Sequence, residues 1–112
     1  MVTRSAHVYE ADLDLAPGAD PRAPGGAVTV ALCGHWEHDG PCRWPHYSEL
    51  DTDREPPRLC TVFVCAPGEV DDVHRAIDAA VRSHDDWSVR AADRREPRGD
   101  EVELGQRLAR HD

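Results

Sequence analysis

The sequence predicts an α+β fold: a small, mostly antiparallel four-stranded sheet with two helices on one face, a ferredoxin-like sandwich in architecture though not in element order. Three observations carry this. Period-two alternation recurs in short stretches toward both ends of the chain, "RLCTVFVCAP" is a β-branched and aromatic run bounded by prolines, and "PGEVDDVHRAIDAAVRS" carries apolar residues at helical spacing. With 112 residues, 39% of them apolar and 31% charged, the chain forms one domain around a modest core.

The first strand is read in "YEADLDL", where Tyr9, Ala11, Leu13 and Leu15 alternate with Glu10, Asp12 and Asp14. Proline and glycine in "APGADPRAPGG" make residues 16–26 an irregular connection. The second strand is "AVTVALCGHW", with Val28, Val30 and Leu32 on one face and Thr29, Ala31, Cys33 and His35 on the other. Residues 37–58 hold five prolines and glycines, several acids and no apolar periodicity, which predicts a long loop. "RLCTVFVCAP" is the central strand. A helix follows, with Val70, Val73, Ile77, Ala80 and Val81 along one stripe. "WSVRA" returns to strand alternation through Trp87, Val89 and Ala91, and residues 92–99 form a second irregular connection. A closing helix is read in "DEVELGQRLARHD" from the capping-box spacing of Asp100 and Glu103 and the one-turn spacing of Leu104 and Leu108, against the helix-weakening Gly105.

The net charge is −9, and all 13 basic residues are arginines. Such an acidic chain repels phosphate backbones and anionic lipid, so neither nucleic acid nor membrane is an expected partner. No apolar run resembles a signal-peptide core or a spanning helix, and a cytoplasmic setting is expected. In a reducing compartment the four cysteines are metal ligands, reactive thiols or small core residues rather than a disulfide framework. Cys60 and Cys65, inside an apolar run, read as core residues.

The segment "CGHWEHDGPCRWPH", residues 33–46, gathers two cysteines and three histidines into fourteen positions. Zinc takes four ligands in a tetrahedron and accepts thiolate sulfur and imidazole nitrogen from short-spaced pairs. Cys33-x-His35 and Cys42-x3-His46 supply such pairs, with His38 as an alternative ligand. Pro41 and Pro45 turn and stiffen the return of the loop, and Glu37 and Asp39 are placed to orient imidazoles. Two thiolates and two imidazoles suit zinc, while copper or iron would follow if Cys60 or Cys65 joined the site. Trp36 and Trp44 read as packing walls of the loop.

A closed four-ligand site would pin the loop and present a surface to a protein partner, which is the favoured expectation. The alternatives are a hydrolase- or lyase-type metalloenzyme with an open coordination position and His38 or Glu37 as general base, a metal-handling or sensing protein, and a thiol-based redox protein using Cys33 and Cys42. An exposed sheet face or edge could also support a homodimer. The chain carries no phosphate-cradling glycine loop, nucleotide fingerprint or nucleophile elbow, and "SELDTDREPP" lacks the ligand spacing of an EF-hand.

Overall fold

A computed structural model describes residues 4–33 and 44–110, the side chains of Cys33 and Arg110 excepted. The elements are β1 (Ser5–Leu15), α1 (Ala23–Cys33), β2 (His46–Asp51), β3 (Arg58–Cys65), α2 (Val70–Arg82), β4 (Trp87–Arg95) and α3 (Gly99–Arg110), with a short 3-10 turn over Pro67–Glu69 leading into α2. The four strands form one antiparallel sheet in the order β2-β3-β1-β4. Because β3 and β4 both run antiparallel to the intervening β1, they are parallel to each other, and α2 is the crossover that joins them. No helix among the described residues is long and apolar enough to cross a membrane.

The main core follows from strand parity. Odd residues of β1 and β3, including Tyr9, Leu13, Leu59 and Phe63, share one face. They pack against Val28 and Leu32 of α1 and Val73, Ile77 and Val81 of α2 in a single buried cluster. Even residues face the other way, and there α3 lies on β1 and β3. A Cβ on Gly105 would stand 2.6 Å from the Ala6 Cβ and 3.6 Å from Val64 Cγ2, so the glycine is what lets this helix approach the sheet.

Several sequence expectations are corrected here. Residues 27–33 of the expected second strand belong to α1, so the described residues form three helices in the order β-α-β-β-α-β-α. A helix forms because Pro24, Ala27, Val28 and Leu32, at i, i+3, i+4 and i+8, are buried together. Val30 is 50% exposed, whereas a strand would have put it beside Val28 and Leu32. The start is set by Asp20, whose side chain accepts the Arg22 N–H at 2.9 Å and whose carbonyl accepts that of Ala23 at 3.0 Å. Residues 16–26 are therefore irregular only as far as Arg22. The expected loop over 37–58 contains β2, an edge strand with too few apolar residues to announce itself. Residues 92–95 extend β4 rather than opening a loop.

The two expected helices do not share a face, since α2 and α3 lie on opposite sides of the sheet and α1 joins α2. The cap of α3 also differs from expectation. Glu101, rather than Glu103, reaches back to accept the Arg98 backbone N–H at 2.8 Å.

Candidate functional site

Of the expected metal ligands, Cys33 is the last residue of α1 and His46 the first of β2. His35, His38 and Cys42 lie outside the described residues, as do Glu37 and Asp39. Helix α1 is docked on β2 so closely that a Cβ on Gly25 would come 3.3 Å from the Ser48 Cβ. One turn further on, Thr29 Oγ1 is 3.0 Å from His46 Nε2 and 3.2 Å from the Gly25 carbonyl oxygen. Cys33 follows Thr29 by four residues, one helical turn, or about 6 Å, further along α1.

The His46 ring is held from its other side as well. Nδ1 is 3.1 Å from the Trp44 carbonyl oxygen, which can only accept, so the contact favours the tautomer whose Nδ1–H donates and whose lone pair is on Nε2. Metal-bound histidines are commonly oriented by this kind of second hydrogen bond. With Nδ1 protonated the Thr29 hydroxyl is the donor to Nε2, so a metal at Nε2 would take the place of that contact, the hydroxyl then turning its proton to the Gly25 carbonyl. Trp44 itself is anchored by its indole N–H, which donates to Glu69 Oε2 at 3.3 Å. Among the described residues no group of three or more His, Cys, Asp or Glu side chains is arranged to hold a metal.

A groove of about 540 Å³ runs between α1 and β2, lined by Gly25, Gly26 and Thr29 on one side and by residues 46–50 on the other. A second cleft of about 500 Å³ opens on the α3 side of the sheet. Its centre is the Arg95 guanidinium, whose two terminal nitrogens donate to Glu101 Oε1 and Oε2 at 2.6 and 2.8 Å. Arg95 Nε lies 2.9 Å from Glu10 Oε2, a charge contact without hydrogen-bond alignment. The bidentate pair holds the Glu101 carboxyl down at about 2 and raises the already high pKa of Arg95.

Cys60 borders the same cleft, its Sγ 3.7 Å from Glu101 Oε2 and 3.8 Å from an Arg95 nitrogen. Burial, reinforced by the Glu101 charge, pushes its thiol up to about 11. Cys65 is also pushed up to about 11, by burial first and by Glu69 second. Both thiols stay protonated at neutral pH and are poor nucleophiles. They are five residues apart on β3, hence on opposite faces of the sheet, so no single site can recruit both.

No protein-family model, curated protein or solved structure matches the chain. The groups that sequence reasoning passed over are Thr29, hidden by the strand assignment of its segment, and the Arg95–Glu101–Glu10 cluster. The available signal for the cluster was Glu101 three residues after Arg98, the spacing of an N-terminal capping contact.

Proposed function

We propose that this chain is a small metal-binding domain, with zinc held by Cys33, His35, Cys42 and His46, or with His38 in place of one of these. The metal would hold the loop as a surface for a protein partner. The observation that carries this reading is the contact between Thr29 and His46, which supports the convergence of the two ends of the Cys/His segment at one corner of the sheet. The Nδ1 contact to the Trp44 carbonyl adds to it, since it puts the lone pair of the neutral ring on Nε2, where a metal would displace the Thr29 hydroxyl. Zinc bound by two thiolates needs no further countercharge, and its role would be to cross-link helix end, loop and strand start. Thiolate ligands call for a reducing compartment, which is why we assign the protein to the cytoplasm. The β-α-β-β-α-β order of the first six elements favours describing the sandwich as ferredoxin-like.

The test is native mass spectrometry with elemental analysis on protein purified without chelator or affinity metal. One zinc per chain is expected, lost in Cys42→Ser and retained in Cys60→Ser. Metal-free protein would overturn the proposal, and equal loss from both variants would overturn the ligand assignment.

A further inference from the structure

The two edges of the sheet are built differently. Along β4 the pairing with β1 shifts between Asp12 and Leu13, a bulge that leaves Arg90 out of the ladder. The Asp93 side chain accepts the Arg94 backbone N–H at 2.9 Å, and Arg90 and Arg94 flank the strand as ion-paired charges. Bulges, charges and occupied amides are the devices by which sheet edges are closed to further pairing.

The β2 edge has no bulge and, among the described residues, no occupied outward amide; its charges are the acids Glu49 and Asp51. The Val64 N–H donates to the Pro45 carbonyl at 2.9 Å, which fixes Pro45, Tyr47, Glu49 and Asp51 as the residues whose backbone groups face β3. The backbone N–H and C=O groups of Ser48 and Leu50 therefore point outward, and among the described residues nothing pairs with them. They open onto the groove whose far wall is the bare Gly25–Gly26 turn of α1. On the opposite face of the same strand, Tyr47, Glu49 and Asp51 are exposed, and neither acid makes an ion pair among the described residues. Three neighbouring arginines are matched elsewhere, Arg54 and Arg58 by Asp12 and Arg95 by Glu10 and Glu101, while Arg98 borders the same cleft.

We infer that the β2 edge accepts an extended basic peptide of a partner protein as a fifth strand. Alternate side chains of such a strand would lie beside Glu49 and Asp51, where arginine or lysine is favoured. The intervening side chains would lie under the α1 glycines, where small or β-branched residues fit. A second copy of this chain is disfavoured as occupant, because pairing β2 with itself would bring together acidic strands of two molecules that each carry −9. The inference rests on the backbone of β2 and is independent of metal.

The experiment is a titration of the isotope-labelled full chain with a short peptide alternating arginine and valine, read by amide chemical shifts and calorimetry. Saturable shifts centred on residues 47–52 are expected, with an affinity loss of about ten-fold or more in Glu49→Lys/Asp51→Lys. A strand has two hydrogen-bonding edges, so N-methylating one alternate set of peptide amides should abolish binding while methylating the other set preserves it. Equal binding of both methylated peptides would reduce the effect to charge attraction and overturn the proposal. So would no binding at all, or concentration-dependent shifts at β2 in the absence of peptide.

Discussion

The two faces of the sheet are held by different physics. On the α1/α2 face, large side chains from five elements are removed from water together, and directional contacts are secondary. Tyr9 shows the pattern, with its ring buried and only its hydroxyl reaching out to donate to Asp78 Oδ1 at 2.9 Å, a contact that with burial raises its pKa. On the α3 face the buried apolar set shrinks to Val8, Val62 and Val64 beside Ala6, and the helix is fastened at its first turn by the Arg95–Glu101 fork. One face depends on buried area; the other depends on one close approach and one ion pair.

Breaking the first face should produce the largest effect. Ile77→Ala removes a fully buried side chain from the centre of the cluster and should cost about 2–5 kcal/mol in urea unfolding, with little dependence on pH between neutral and mildly acidic conditions. An unchanged midpoint would mean that α2 is not the lid of the main core.

Glu101→Gln sharpens the contrast. The substitution keeps the shape but removes the charge from a bidentate, mostly buried pair, and about 1.5–3 kcal/mol should be lost at neutral pH. The folded carboxyl titrates at about 2, below its ordinary value of 4.5, so the folded state disfavours protonation. Its contribution is therefore complete above about pH 4.5 and fades as the pH falls toward 2. The difference in stability between wild type and variant should shrink across that window. A difference constant with pH would remove the ion pair as its cause.

Gly105→Ala gives the smallest effect and the most telling sign. In an exposed helix the change would stabilise by about 1 kcal/mol through helix propensity. Here the added Cβ meets the Ala6 methyl at 2.6 Å, and overpacking costs of about 1–3 kcal/mol should outweigh that gain, giving net destabilisation with amide shifts confined to α3, β1 and β3. Stabilisation would show that α3 sits further from the sheet.

Much of the candidate metal region was legible as composition, because two cysteines and three histidines in fourteen residues stand out in any conformation. Its local geometry was not. Thr29 becomes a neighbour of His46 only when residues 23–33 wind into a helix, and the alternating "VTVALC" favours a strand as long as Pro24 and Ala27 are not counted as apolar positions. The Arg95 cluster was hidden for a related reason: it needs β4 to run on to Arg95 and the chain then to turn back into α3, so that residues six apart in sequence meet as a fork.

By itself the sequence determined the α+β class, the strands β1 and β3, the helix α2 and the closing helix, because in each the burial of one face writes its own period into the residues. Only the tertiary structure decided that α1 is a helix, that β2 exists, and that α3 covers the opposite face. Helix α1 owes its conformation to the sheet that buries its stripe, and β2 owes its to backbone pairing with β3. The side taken by α3 is set where Gly105 meets Ala6, a contact between residues 99 positions apart. Such choices depend on what lies across a contact, and a local pattern does not encode that.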